Sequence, residues 1–393
     1  MPFCIDFPAN RAFDKPVASV VGWITDKQPC EEVSFHIGDQ LIPYNPIDRP
    51  DVRDAYPGQH VLGFSILLDL MRHVPNLSTV NLKGVRRSKV LMSASFTVEP
   101  EARAACTRFA KVREANRDWC LEHIQCPHCG SAKLRANERA LTCGRCGAQY
   151  PQHMGALNLL TPQLYEQCSL KPTNNISSNN YDLRALEMIE DVSNRGGKIL
   201  DCGAGSRPNP YEAVVNLEIV DYPSTDVLAV GQALPFCDAA FDAVFSFAVL
   251  EHVSDPFKCA AEIIRVLKPG GRVYAGVPFL QPEHGYPNHF YNMSRQGLAN
   301  LFHGLTVEQH FVPRSGVPIW GLHWIAKEYA AHLPPGVRQD FLSMSIRDLL
   351  AKRPIDHLED PIVTTLSDDG NWILACTTAI ILSKPTVPST TVL

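Results

Sequence analysis

Apolar positions in the first hundred residues fall in short runs, Val17 to Ile24, Val33 to Ile37 and Val90 to Val98, separated by the turn-rich breaks IPYNPIDRP and YPGQH. Runs of this length between Pro and Gly clusters predict strands, and 1–100 is expected to form a small β-sandwich-like domain. The period then changes. Ala105, Phe109, Val112 and Trp119 recur at three-four spacing, with Asn116 as one polar interruption, which predicts a connecting helix over 101–124. The segment SLKPTNNISSNNYD has little to bury and reads as a linker over 163–180. From Arg195 onward, short apolar runs (KILDCGAG, VVNLEIVD, FDAVFSFAVL, RVYAGVP) alternate with helical ones such as KCAAEIIRVLKPGG. Strands alternating with helices predict an α/β fold, a parallel sheet covered on both faces, over 181–393.

Composition agrees with a modular globular chain. The 393 residues, 45% hydrophobic and 20% charged, provide apolar surface for two or three cores and exclude a disordered or fibrous protein. The apolar stretch Trp372 to Leu382, 11 residues long, is about half of what spans a bilayer as a helix, so no transmembrane segment is expected. The N-terminal MPFCIDFPANR lacks a basic region followed by an apolar core, and a cytoplasmic location is expected. The net charge of -5 hides a segregation: Asn81 to Cys146 holds 13 Lys/Arg against 6 Asp/Glu, or +7, which leaves -12 elsewhere.

Four of the 13 cysteines form two close pairs, CPHCG at Cys126 and Cys129 and CGRCG at Cys143 and Cys146. Two CxxC knuckles at this spacing predict a closed tetrahedral structural zinc site in a ribbon over 125–162; the ligands alone also admit a rubredoxin-like iron.

The strand ending at Leu200 runs into Asp201-Cys202-Gly203-Ala204-Gly205-Ser206-Arg207, where glycines let the backbone turn tightly beside a ligand. A second strand ends in Glu218, placed to accept from both hydroxyls of a ribose. With this DxGxG turn, LPF before FDAV, LEHVSDP and LKPGG in order, Gly196 to His310 resembles the class I S-adenosylmethionine-dependent methyltransferases. The resemblance implies a Rossmann-like seven-stranded sheet. Its antiparallel last strand would come from Trp372 to Ser383, after a helical insertion near 319–352. It further implies that Gly203 and Gly205 hold the methionine part of the cofactor, Asp201 its ammonium, and Glu218 the ribose. Gln232 and Ala233 would lie beside the adenine, and Phe247 would line the pocket. Val230 stands where the family often has an acid for the adenine amino group, and Arg207 where some relatives have a third glycine.

After the fourth strand, PFLQPEHGYPNHFYNMS should lie at the carboxyl edge of the sheet, where His284 or His289 is a candidate base for an acceptor hydroxyl. Both equally suit an ordered loop in which histidine bonds backbone. Glu251 and His252 are adjacent at a helix start, and a capping or orienting role is expected for them. The sequence after the cysteines, AQYPQHMGALNLLTP, resembles the end of small zinc-ribbon proteins that activate methyltransferases. GWI at Gly22, RPDV at Arg49 to Val52 and GF at Gly63 resemble a β module of bacterial glycan-modifying enzymes. These likenesses imply O-methylation of a sugar hydroxyl of a surface glycan or its precursor. An RNA methyltransferase gripping phosphates through 81–146, and a non-catalytic cofactor-binding scaffold, are the alternatives.

Overall fold

The fold is given by a computed structural model, which describes residues 3–29, 32–73, 78–137, 140–152, 155–170, 178–285 and 288–375. Near the N-terminus, strand Val17–Asp26 pairs antiparallel with His60–Asp69 along its whole length. With Phe3–Phe7 and Asn45–Ile47 these make a four-stranded sheet. A five-stranded sheet is built on the antiparallel pair Thr79–Arg86 and Lys89–Val98. Period-2 alternation turns Val20, Ile24, Phe64 and Ile66 of the first sheet and Phe35, Leu82, Met92 and Phe96 of the second into one buried cluster. The rings of Phe35 and Phe64, 4.5 Å apart, join the two sheets. Gly22 and Gly63 are required by close approach of neighbouring backbone. A Cβ would lie 2.3 Å from the Cys4 carbonyl oxygen in the first case and 2.4 Å from that of Ile47 in the second.

Helix Pro100–His123 leaves this core and enters the next. Ala102 belongs to the N-terminal cluster, whereas Cys120 and Ile124 belong to that of the α/β region. The polar interruption has a purpose. Asn116 is 1% exposed and donates from Nδ2 to the Val214 carbonyl at 2.7 Å and to Asp226 Oδ2 at 3.1 Å, while its own Oδ1 accepts from Lys198 Nζ at 2.7 Å. A buried amide with its donors and acceptor satisfied ties the helix to two strands.

Six parallel strands form the central sheet, in the order Leu157–Asn158, Val227–Leu228, Val214–Glu218, Ile199–Cys202, Phe241–Phe247, Leu267–Gly276. Alternation separates its faces: Leu200, Val215 and Val244 join one cluster, and Ile199, Val214 and Ala243 another. Helix Pro256–Val266 covers the first face through Cys259, Ala260 and Ile263, and helix Leu183–Asn194 the second through Ala185, Ile189 and Val192. Cys126, Cys143, Tyr150 and Leu157 belong to the first cluster too, so the cysteine module and the sheet share a core. The edge strand Leu157–Asn158, the next after Gln149–Pro151 of the small three-stranded sheet that carries Cys143, lies within the stretch expected to be ribbon.

Among the described residues from Arg314 onward the elements are helical, with Pro318–Ala331, Pro335–Ser343 and Ile346–Ala351 covering the expected insertion. The expected antiparallel last strand does not begin at Trp372. Helix Asp368–Ile373 extends through that position, opened by Ser367, whose side chain accepts from the Gly370 amide. The expected strand from 376 to 383 lies outside the described residues, and the sheet has six strands among those described. Among the described residues no helix is long and apolar enough to cross a membrane.

Candidate functional site

The strand order reverses direction at Ile199–Cys202, which lies between Val214–Glu218 and Phe241–Phe247. In open parallel sheets, ligands bind outside the carboxyl ends at such a switch point. The turn there has left-handed Gly203 (φ 82°) and Gly205 (φ 65°), a region that glycine enters without cost. Asp201, fully buried, braces the turn rather than opening onto it. Its Oδ2 accepts from the Tyr181 hydroxyl at 2.5 Å and from Arg207 Nε and Nη2 at 2.8 and 2.7 Å. The Arg207 guanidinium also stacks on the Tyr181 ring at 4.2 Å and donates to the Asn179 carbonyl. Burial pushes the Asp201 carboxyl up, while Arg207 and Tyr181 hold it down. Gly203 faces protein as well: a Cβ would lie 2.4 Å from Val249 Cγ2.

Glu218 accepts from the Gly205 and Ile219 amides at 2.7 and 2.8 Å, so the end of the second strand is fastened to the glycine turn. Burial pushes its carboxyl up, and the amide donors of Gly205, Ile219 and Val220 oppose this. A carboxylate has about four acceptor sites, which leaves capacity for a ligand hydroxyl. Gln232 donates to Ser254 Oγ at 3.1 Å, and Ala233 lies in a tight turn closed by its amide on the Val230 carbonyl. Phe247 ends its strand in contact with the Tyr274 ring at 4.6 Å and the Tyr181 ring at 6.5 Å. Asp201, Gly203, Gly205, Glu218 and Phe247 are thus linked directly or through Tyr181. Gln232 and Ala233 stand on the next loop of the same edge.

His284 and His289 come together, their rings 4.5 Å apart, and each lies within 6 Å of His252. Backbone carbonyls, which only accept, fix the tautomers. His252 Nδ1–H donates to Asn288 O at 2.8 Å and His284 Nδ1–H to Pro282 O at 2.9 Å, so both rings present a bare Nε2. His289 is committed, its Nδ1 accepting from the His284 amide and its Nε2 facing Asn292 Oδ1. Burial holds the pKa of His252 and of His284 below the ordinary imidazole value. Glu251 and His252 do not cap the next helix, a role taken by Asp255 at the start of Pro256–Val266. Although adjacent, they sit in an irregular turn that lets their side chains converge, with His252 Nε2 3.7 Å from Glu251 Oε1. The Glu251 carboxylate is fully buried, neither oxygen has a hydrogen-bond partner, and burial pushes its pKa to about 7. Its backbone carbonyl accepts from the Phe290 and Tyr291 amides and anchors the histidine loop.

The four cysteines of the two knuckles have Sγ atoms all within 4.8 Å of one another. Left-handed Gly130 and Gly147 follow the knuckles and turn their amides back to the carbonyls of Cys126 and Cys143. The amides of Cys146 and Arg145 pull the Cys143 thiol down to about 6. Four sulfurs converging on one point, with amide donors favouring thiolate, suit a tetrahedral metal ion.

A cavity of about 310 Å³ opens beside His284 and His289, bounded also by Phe290 and Ile373. A larger one, about 690 Å³, lies against the edge strands, lined by Leu160, Pro162, Tyr165 and Leu228, and contains none of the expected ligand residues. Sequence reasoning missed Tyr181, because a lone tyrosine at the end of a polar linker carries no signal. It also missed the bracing role of Arg207, visible only as a departure from a glycine.

Residues 210–275 match the profile of a methyltransferase domain family. The chain is 32% identical over 132 residues to the demethylmenaquinone methyltransferase of Renibacterium salmoninarum, covering 29% of this chain and 55% of that protein. It is 30% identical over 141 residues to an uncharacterized methyltransferase of Mycobacterium leprae, covering 35% and 47%. The chain therefore spans about half the length of these relatives. Among solved structures, a S-adenosylmethionine-dependent methyltransferase of Thermotoga maritima aligns at 21% identity and TM-score 0.24, over 30% of this chain and 69% of that one. A phosphoethanolamine N-methyltransferase of Haemonchus contortus aligns at 16% and 0.26, over 45% and 47%.

Proposed function

We propose that this protein is an S-adenosylmethionine-dependent methyltransferase acting on a hydroxyl group, in the simplest case a sugar hydroxyl of a surface glycan or its precursor. The observation that carries the reading is Glu218, held by backbone amides at the switch-point edge with acceptor capacity remaining, inside the stretch that matches a methyltransferase domain. When bound, the cofactor supplies an electrophilic methyl on a sulfonium. Glu218 then meets the ribose hydroxyls, and the Gly203–Gly205 turn the methionine part. Asp201 acts on the ammonium indirectly, by fixing that turn. Gln232 and Ala233 flank the adenine and Phe247 closes the pocket wall. Positioning supplies much of the rate of an in-line transfer, and a protonated nucleophile must in addition lose its proton. The histidine loop handles that proton: His284 has an uncommitted Nε2, and His289 holds the loop in shape.

The acceptor class is favoured by how the basic stretch is spent. Arg86 is buried against Asp26 at 2.7 Å, Arg87 pairs with Glu32, and Arg113 donates to the Thr225 carbonyl, which reduces the charge available to a phosphate backbone. The cysteine cluster is read as a structural zinc site that stabilises the face of the sheet it packs on.

Calorimetric titration of the full chain with S-adenosylhomocysteine tests the reading. Glu218→Gln should weaken binding by about tenfold or more, as loss of a charge-assisted hydrogen bond does; unchanged affinity would remove Glu218 from the site. Radiolabelled S-adenosylmethionine incubated with fractionated cell extract then locates the acceptor as glycan or RNA. For the ribbon, purified protein should hold one zinc per chain, and Cys143→Ser should release it and destabilise the module, because metal binding there is folding energy.

A further inference from the structure

Glu251, His252 and His284 form a second convergent cluster, their ligand atoms all within 4.8 Å of one another. Three features separate it from a packed polar corner. The Glu251 side chain is 0% exposed and both of its oxygens lack a hydrogen-bond partner. His252 and His284 each give their Nδ1–H to a backbone carbonyl, so the nitrogen that each has left is a bare acceptor. Glu251 Oε1 therefore faces another lone pair, His252 Nε2, at 3.7 Å. Carboxylate and imidazole acceptors facing one another with no donor between them are costly to bury, unless a proton or a cation lies among them, and three convergent ligand atoms suit the cation.

The loop is also shaped for this approach. Gly285 (φ 96°) packs on the His252 ring so closely that a Cβ would lie 2.1 Å from Cε1, so only glycine lets the loop close. Histidines that ligate metals commonly have the other ring N–H on a backbone carbonyl, which fixes the tautomer and aims Nε2. Both histidines here are arranged in that way.

We propose that Glu251, His252 and His284 bind a divalent transition-metal ion of the Mn²⁺, Fe²⁺ or Zn²⁺ class, through one carboxylate and two Nε2 atoms, separately from the four-cysteine site. Two imidazoles and one carboxylate suit such ions and leave coordination positions for water or a substrate oxygen. The ion's location follows from the geometry alone. Its bearing on chemistry rests on the methyl-transfer reading: the ion would acidify an acceptor hydroxyl coordinated there, so that its proton passes to water, and His284 would act as the base only in the ion-free protein.

The test keeps the two readings apart by measuring binding, not turnover. Full-length protein is first saturated with one equivalent of zinc, which the cysteines take, and then titrated with MnCl₂ while free Mn²⁺ is followed by electron paramagnetic resonance. Thiolates compete poorly for manganese, so the signal reports oxygen and nitrogen sites. Wild type should bind one Mn²⁺ per chain. Glu251→Gln and His284→Gln should each weaken it by more than about tenfold, the loss that even outer-shell partners of a metal cost. Thermal melting of each variant confirms that it is folded. No bound manganese in wild type, or wild-type affinity in both Gln variants, overturns the site, whatever becomes of S-adenosylhomocysteine binding.

Discussion

At the carboxyl edge of one sheet two carboxylates are buried fully, Asp201 near the end of strand Ile199–Cys202 and Glu251 in the turn after Phe241–Phe247, and they are treated in opposite ways. Asp201 receives an aromatic hydroxyl and two guanidinium N–H groups on one oxygen. Glu251 receives nothing. A buried carboxylate paired on one oxygen, as Asp201 is although its Oδ1 has no hydrogen-bond partner, is a brace: it fixes the loop and leaves the neighbouring backbone to meet a ligand. One with no partner on either oxygen is paid for by something from outside the chain, a proton or a cation. The contrast shows why a family motif does not by itself assign roles, since the acid of the glycine turn works through Arg207 and Tyr181.

Arg207 offers the largest test. Arg207→Ala leaves Asp201 buried with only the Tyr181 hydroxyl and should cost about 3 to 5 kcal/mol in denaturant unfolding, the usual penalty for breaking a buried pair. Arg207→Lys should recover little, because an ammonium cannot both reach Asp201 through two donors and stack on Tyr181. A loss under about 1 kcal/mol in Arg207→Ala would mean that Asp201 does not depend on it.

Asp226 is an intermediate case, partnered by neutral donors, the Asn216 amide and Asn116 Nδ2, on its Oδ2. Burial pushes its carboxyl up to about 7. The folded state therefore holds a proton that the unfolded chain releases near the ordinary carboxylate value. The contribution of Asp226 to wild-type stability should fall as pH rises between those values, by up to a few kcal/mol. Asp226→Asn lacks that proton linkage. Its stability relative to wild type should grow from pH 4 to about 7 and then level off, measured by urea unfolding at each pH. A pH-independent difference would place an unrecognised cation on Asp226.

Much of this organisation was legible in the sequence because it is local. Period-2 runs marked the N-terminal strands, the three-four spacing marked helix Pro100–His123, and two CxxC knuckles with following glycines placed four sulfurs together. The DxGxG turn and Glu218 likewise lie at the ends of adjacent parallel strands. What was not legible depends on contacts between distant segments. Asn116 looked like a flaw in a helix because its partners, Val214 and Asp226, are about a hundred residues away. Glu251 and His252 read as capping or orienting residues at a helix start, whereas they occupy an irregular turn before it in which their side chains converge. The last strand was expected from an apolar run, yet tertiary context puts Trp372 in a helix with a serine cap.

Glu251→Gln should have the smallest effect on stability, and it decides the comparison. The substitution keeps the shape of the side chain and removes its ionisable oxygen. In chelator-treated protein it should change unfolding free energy by less than about 1 kcal/mol, since no donor to Glu251 is lost and the amide brings donors that the facing His252 Nε2 can accept. Arg207→Ala, by contrast, removes donors from a carboxylate that stays behind. If Glu251→Gln proved as damaging as Arg207→Ala, Glu251 would have a partner within the protein after all, and both turns would be braces. If it were neutral in chelator but lost the stabilisation that added Mn²⁺ gives wild type, which mass action sets at RT ln(1 + [L]/Kd) for free ion L, the carboxylate would be a ligand held ready for a cation. Melting temperatures of both proteins with and without manganese separate these outcomes without any knowledge of the acceptor.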